Sequence, residues 1–203
     1  MLQLTHISHH YEDETVLHDI NLTIDKNRFT IITGESGSGK STLLSIMSTL
    51  LKPSEGELSF DGLNVNEIRD LDRFRNEKIG FVFQFHYLIS HLSVYENIAM
   101  VTKHSRSEIE ILLDKLAILE LKNKYPDQIS GGQRQRAAIA RAMINRPEYI
   151  FADEPTGNLD SKNSQLVFDL LRDMDASVIV ATHDLSQISP RDTVISLKDG
   201  ALC

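Results

Sequence analysis

The chain has 203 residues, of which 41% are apolar and 25% are charged, and its formal net charge is −8. This length and composition predict one globular domain with a substantial core. The acidic balance argues against a general nucleic-acid-binding protein, whose surface is usually basic. No apolar run reaches the roughly 18–20 residues of a membrane span, and no signal peptide is expected. The single cysteine, Cys203, is typical of a reducing compartment.

The first part of the chain predicts short strands joined by polar turns. Ile20, Leu22 and Ile24 alternate with polar neighbours, as in a half-buried strand. A turn that contains Asn27 leads into Phe29–Thr33, a compact apolar run that predicts a buried strand.

The residues that follow this strand fit the phosphate-loop pattern G-x-x-x-x-G-K-[S/T]. Glycines let successive backbone N–H groups point at phosphate oxygens. Lys40 supplies a positive charge for the β- and γ-phosphates, and Ser41 a hydroxyl for Mg²⁺. The run from Lys40 to about Leu51 has helical apolar spacing. The predicted nucleotide-binding residues are Gly34, Glu35, Ser36, Gly37, Ser38, Gly39, Lys40, Ser41 and Thr42.

Aromatic residues at two places leave alternatives open. Tyr11 could stack on a purine ring or pack in the core, and its position alone does not decide. Ile79–Phe83 predicts a buried strand that ends at Gln84, and the apolar Phe85–Ile89 continues beyond it. Such a run is a local core cluster or an exposed docking patch.

The stretch from 93 to 146 has a helical pattern, in which Ser93 and Glu96 predict a capping box. Within it, the tetrapeptide Ser130–Gln133 precedes a helix that Ser130 is placed to cap. The N–H groups of that helix terminus form a possible anion site, although an ordinary capped turn explains the tetrapeptide alone. Three arginines of the helix predict a solvated or interface face, not a nucleic-acid patch: Arg134, Arg136 and Arg141.

Two later strands end in residues suited to phosphate chemistry. The strand Tyr149–Ala152 leads into Asp153, which could hold Mg²⁺, and Glu154, which could deprotonate an attacking water. The strand Ser177–Ala181 leads to His183, which could contact the transferred phosphate. We expect these residues, Gln84 and the phosphate loop to lie along one edge of a mostly parallel sheet.

Taken together and in this order, the motifs resemble the nucleotide-binding subunit of ATP-binding cassette (ABC) transporters over essentially the whole chain. The segment from Asp153 to Asp160 is similar to the lipoprotein-release and macrolide-export branch. The resemblance implies a single α/β domain over residues 1–203 with a P-loop NTPase core and a mostly parallel sheet. It also implies an N-terminal antiparallel β subdomain and an α-helical subdomain inserted at roughly residues 85–147.

The resemblance also implies roles for individual residues. Tyr11 matches the aromatic that stacks on adenine, Glu154 the general base and His183 the γ-phosphate contact. Gln84 matches the residue that links Mg²⁺ and water to the membrane partner, so Gln84–Ile89 would dock a permease. The implied metal ligands are Ser41, Gln84 and Asp153. The implied residues that contact the nucleotide of the opposite subunit are Ser130, Gly131, Gly132, Gln133 and Asp160.

The implied function is ATP hydrolysis with Mg²⁺ by a homodimer or heterodimer of cassettes that closes over two ATP molecules. The dimer would drive a separate integral membrane permease, an exporter of peptide, lipid-linked or antimicrobial compounds. The subunit would be cytoplasmic, peripheral on the inner face of the cell membrane, with no carboxy-terminal regulatory domain and no nucleic-acid partner. The alternative is an ATPase that drives a mechanical or signalling membrane complex without transport.

Overall fold

The computed structural model describes residues 1–157 and 159–203, which form ten strands and six α-helices. The strands are β1 (Leu2–Tyr11), β2 (Glu14–Ile24), β3 (Phe29–Thr33), β4 (Glu55–Phe60), β5 (Leu63–Asn64), β6 (Ile79–Val82), β7 (Tyr149–Asp153), β8 (Ser177–Ala181), β9 (Thr193–Lys198) and β10 (Ala201–Leu202). The helices are α1 (Lys40–Met47), α2 (Leu71–Lys78), α3 (Val94–Ala99), α4 (Arg106–Lys115), α5 (Gly131–Met143) and α6 (Ser161–Arg172).

The strands form two sheets. The larger has the order β10-β9-β3-β8-β7-β6, and its pairs are parallel except for β10 with β9. The smaller is antiparallel, with the order β2-β1-β4-β5. The regular elements between β6 and β7 are helices. The predicted fold class is therefore confirmed, whereas the boundaries of the domain and of the helical subdomain stay predictions.

The parallel sheet is buried on both faces. On β7, Tyr149 and Phe151 belong to the core shared with the antiparallel sheet and α1. Ile150 and Ala152 belong instead to the core formed with α3 to α6. Successive side chains of a strand point to opposite faces, so a strand covered on both sides is a continuous apolar run. This explains why the sequence predicted β7 and β8 to within one residue.

The first helix is shorter than predicted. It ends at Met47 and not near Leu51, because Thr49 has a left-handed backbone with φ of 63°. The guanidinium of Arg75 on α2 donates to the Thr49 carbonyl oxygen at 2.7 Å and holds this turn. Leu50, one of the apolar residues of the run that predicted the longer helix, is half exposed. The sequence analysis made no prediction for α2.

The later helices begin at side-chain caps. The predicted capping box of Ser93 and Glu96 at α3 is confirmed, and Ser130 caps α5 in the same way through Gln133. The last helix, α6, begins after Asp160 and ends at Arg172. Among the described residues, no helix is long and apolar enough to cross a membrane.

Candidate nucleotide site

The loop between β3 and α1 and the residues after β6, β7 and β8 meet at one edge of the parallel sheet. They surround a cleft of about 580 Å³. Its lining consists of Tyr11, Val16, Ser36, Gly37, Gly39, Lys40, Ser41, Thr42, Gln84, Glu154 and His183. The structure thus brings together predicted residues from well-separated parts of the chain. Val16, on β2, is the one lining residue that the sequence analysis did not name.

The loop's backbone requires glycine at two positions for different reasons. At Gly34 a Cβ would lie 2.2 Å from the carbonyl oxygen of Leu197 on β9, so only glycine allows this close approach. At Gly37, φ is 82° and a Cβ would meet nothing within 4 Å. Gly37 therefore serves the backbone conformation and faces open space in the cleft.

The amino terminus of α1 is suited to an anion. In the described part of the chain, the other five α-helices carry side-chain caps, whereas α1 begins at Gly39 without one. Its first N–H groups therefore remain available to phosphate oxygens. The Lys40 ammonium is buried beside them and donates to the carbonyl oxygens of Gly34 and Glu35, each at 2.8 Å. The Lys40 ammonium and the uncapped N–H groups of α1 thus belong to the same part of the cleft.

Two oxygen groups lie together next to this terminus. The Ser41 hydroxyl donates to the Asp153 carboxylate at 3.0 Å. Burial raises the pKa of Asp153, and the Ser41 hydrogen bond partly opposes that shift. A hydroxyl and a carboxylate beside a phosphate site fit Mg²⁺, which takes oxygen ligands and obtains several of them from phosphates and water. A bound cation would also favour the charged carboxylate.

The carboxylate of Glu154 is held by residues that follow β8. One oxygen accepts a hydrogen bond from the Thr182 hydroxyl at 3.0 Å. The other accepts from the His183 backbone N–H at 3.1 Å and lies 2.8 Å from His183 Nδ1. Glu154 itself has a left-handed φ of 43°, and its N–H donates to Ala181 O at 2.9 Å. These contacts fix the direction of the carboxylate in the cleft.

Tyr11 and Gln84 complete the lining of the cleft. Tyr11 is half exposed, and its ring meets the buried His9 ring edge-on at 4.6 Å. The amide of Gln84 lies against Gly157, where a Cβ would be 3.1 Å from Gln84 Nε2. A larger residue at 157 would therefore push Gln84.

The tetrapeptide Ser130–Gln133, called the signature below, lies elsewhere. In the described residues, neither Ser130–Gln133 nor Asp160 lines the cleft. Ser130 is exposed, and its hydroxyl oxygen accepts from the Gln133 N–H at 3.3 Å. Asp160 caps α6 through Asn163, and a Cβ at Gly132 would lie 3.0 Å from the Asn163 side chain. The starts of α5 and α6 thus form one surface away from the cleft.

Two residues that make these contacts were given no role from the sequence alone. Thr182, which directly precedes His183, was assigned no role, yet its hydroxyl orients Glu154. Asn163 received no role, although it joins Asp160 to Gly132. A hydroxyl beside a predicted histidine was the only available signal for Thr182. For Asn163 no signal existed without the packing of α6 on α5.

A phosphate loop between a strand and a helix, with carboxylates at the end of another parallel strand of the same sheet, defines a P-loop nucleoside triphosphatase. Comparison with known proteins narrows this class. The sequence profile of the ABC transporter family matches residues 17–157. The chain is therefore a member of the ABC transporter family, as its ATP-binding subunit.

Curated relatives and solved structures agree with this membership. One relative is the lipoprotein-releasing system ATP-binding protein LolD of Buchnera aphidicola subsp. Schizaphis graminum, 40% identical over 94% of this chain and 89% of its own. Another is LolD 1 of Chlorobium chlorochromatii, 42% identical over 92% and 82%. The dimeric ATP-binding cassette MJ0796 bound to ADP and Pi is 37% identical, with a TM-score of 0.89 over 100% of this chain and 96% of that one.

A more distant structure, cbiO1 from Clostridium perfringens, is 30% identical with a TM-score of 0.87 over 100% of this chain and 86% of its own. The chain is thus an ABC-type ATPase that uses ATP and Mg²⁺. The solved cassette MJ0796 is itself dimeric.

Proposed function

We propose that Glu154 is the general base of ATP hydrolysis in this chain. The observation that carries the proposal is the carboxylate of Glu154, held by Thr182 and His183 at the cleft that the phosphate loop lines. The carboxylate would take a proton from the attacking water. His183 faces Glu154 with Nδ1, which leaves Nε2 for the γ-phosphate. Gln84 would help to orient the water and the metal.

The remaining cleft residues would bind the nucleotide. Residues 34–42 would hold the phosphates through backbone N–H groups and Lys40. Ser41, Asp153 and Gln84 would hold Mg²⁺, which supplies charge neutralisation of the phosphates when bound. Tyr11 would stack on the adenine, because the residue lines the cleft, is half exposed and has the His9 ring packed edge-on against it.

We further propose that the signature acts on the nucleotide of the partner cassette. Supporting this, Ser130 is exposed at the start of α5 and lies outside this chain's own cleft in the described residues. Its hydroxyl oxygen accepts the cap hydrogen bond, which leaves its O–H to donate to a phosphate. Gly131 and Gly132 would contribute backbone N–H groups of the same terminus, Gln133 would contribute its side-chain NH₂ group, and Asp160 would support the terminus through Asn163.

Mixing two inactive variants tests whether Ser130 acts in trans. Ser130→Ala and Lys40→Met should each be inactive as homodimers. A mixed dimer has one complete site, because the normal loop of one chain faces the normal signature of the other. An equimolar mixture should therefore recover up to about a quarter of wild-type turnover, measured as phosphate release.

The matched control mixes Lys40→Met with Ser41→Ala, both in the phosphate loop. Neither site of that mixed dimer is complete, so no recovery is expected. Recovery in the control, or none with Ser130→Ala, would contradict the assignment in trans.

We also propose that Gln84–Ile89, called the docking segment below, receives the permease at the cytoplasmic face of the cell membrane. Phe85 and Tyr87 are 64% and 61% exposed, which is unusual for large aromatic residues. Tyr87 and Ile89 border an open groove of about 500 Å³ that Met100 and Val101 continue. An amphipathic helix of the permease would fit such an apolar groove.

The cargo proposed here is a lipid-linked protein, because the two curated relatives described above are ATP-binding proteins of lipoprotein-releasing systems. Vesicles that contain the cassette, its permease and a fluorescent acylated protein should release that protein when ATP is added. The Glu154→Gln variant is the control and should release none. Normal ATP turnover with no release would favour the mechanical or signalling alternative, and release of a non-acylated peptide would favour a peptide exporter.

A further inference from the structure

The docking segment is fastened to helix α5 by one arginine. Arg141, on the last turn of α5, donates through Nη1 to the carbonyl oxygen of Tyr87 at 2.6 Å. Its Nη2 donates to the carbonyl oxygen of His86 at 2.7 Å. One planar guanidinium thus holds two consecutive backbone carbonyls, which a lysine cannot do with the same geometry.

The backbone held by Arg141 is strained. His86 and Tyr87 have left-handed φ values of 61° and 45°, which residues other than glycine rarely adopt. Such a conformation persists only where its surroundings hold it. In the described chain, no carboxylate lies within 4.0 Å of Arg141, so the ion pairs that occupy other arginines do not compete for it. Arg141, which the sequence predicted to lie on a solvated or interface face, thus binds the backbone of the docking segment.

The segment also touches the beginning of α5. His86 is buried, whereas its neighbours Phe85 and Tyr87 point outward. The His86 side chain borders a small cavity of about 340 Å³ with Gly131 and Arg134 of the first turn. The segment is therefore in contact with both ends of α5, a rod in which Ser130 and Arg141 are about 16 Å apart.

We propose that Arg141 is a positioning residue that makes the docking segment and the signature helix move as one body. A displacement of Phe85 or Tyr87 would then shift the turn at Ser130, and closure of Ser130 on a nucleotide would shift the segment. The inference rests on the proposed function, which assigns permease docking to the docking segment and contact with the partner's nucleotide to Ser130. The clamp itself is a contact within this chain and can be tested without a permease.

The test compares Arg141→Lys with Arg146→Lys in the full chain by amide hydrogen exchange. Arg146 is an exposed arginine just after α5, so it controls for the substitution. The reporting amides are those of His86, Tyr87 and Ile89, which donate to Phe83 O, Phe85 O and Asn97 Oδ1. Without nucleotide, Arg141→Lys should exchange these amides about tenfold faster than wild type. Arg146→Lys should leave them unchanged, and the midpoints of thermal unfolding of both variants should stay close to wild type.

A second comparison adds Mg²⁺ and a nonhydrolysable ATP analogue. In the wild type, exchange should slow both at Gln133 and in the docking segment. In Arg141→Lys, Gln133 should still slow and the segment should not. Wild-type exchange of the segment in Arg141→Lys and in Arg141→Gln would overturn the proposal. If Gln133 does not slow in the wild type, closure over nucleotide is contradicted, and the nucleotide-free comparison still decides whether Arg141 holds the segment.

Discussion

Replacing Glu154 with glutamine is expected to lower ATP turnover by about 10²–10⁴-fold while ATP binding is retained. Glutamine has nearly the same shape as glutamate but cannot accept a proton from water at neutral pH. The proton of the attacking water then has no strong acceptor at this position, and hydrolysis slows. Phosphate release measures the turnover, and equilibrium binding of a fluorescent ATP analogue measures the affinity.

The structure shows why glutamine can replace Glu154 without distortion. Its amide oxygen can accept from the His183 N–H, as the Glu154 oxygen does. Its NH₂ group would face the Thr182 hydroxyl, which can turn and accept a hydrogen bond in place of donating one. The substituted site therefore keeps its hydrogen bonds, and a loss of turnover reports on proton transfer.

A second consequence is a longer-lived dimer. If hydrolysis opens the two cassettes, Glu154→Gln should remain dimeric in ATP and Mg²⁺, as measured by light scattering after gel filtration. Glu57→Gln, which alters an exposed glutamate of β4, is the control and should behave as wild type. Wild-type turnover in Glu154→Gln would remove Glu154 as the base.

The sequence was most informative where one physical constraint dominates. Strands β7 and β8 are buried on both faces, so their apolar runs marked them almost to the residue. The phosphate loop was equally clear, because its glycines, lysine and serine have fixed offsets. The acidic residues at the end of β7 could also be placed at the cleft, since parallel strands bring their carboxyl ends to one edge of the sheet.

Contacts made by distant residues could not be predicted in this way. Helix α1 ends early because Arg75 holds the Thr49 carbonyl, an interaction across 26 residues. From the sequence alone, Arg141 could not be distinguished from Arg134 on the same helix, α5. Only the fold shows that Arg141 contacts the docking segment. An arginine in a helix is compatible with a solvated face, an ion pair or a backbone clamp. Which one is realised depends on the neighbouring elements.

Replacing Lys40 with methionine is expected to weaken ATP binding by roughly 30- to 1,000-fold. Charge-assisted hydrogen bonds contribute about 1.5–3 kcal/mol each, so the loss of one strong bond or two weaker ones to the β- and γ-phosphates costs about 2–4 kcal/mol. Methionine keeps most of the buried stem, so the packing around α1 is largely preserved. The carbonyl oxygens of Gly34 and Glu35 lose a donor, but the loop retains its Ser38 N–H to Glu35 O hydrogen bond.

Comparing the affinities of ATP and AMP is the control for Lys40→Met. AMP lacks the β- and γ-phosphates, so its affinity should fall much less than that of ATP in a calorimetric titration. Lys52→Met removes an exposed ammonium from the turn after α1 and should bind both nucleotides as wild type does. An equal loss for ATP and AMP would mean that Lys40 supports the loop structure and does not pair with the distal phosphates. Undiminished ATP affinity would mean that the phosphates lie elsewhere than at the amino terminus of α1.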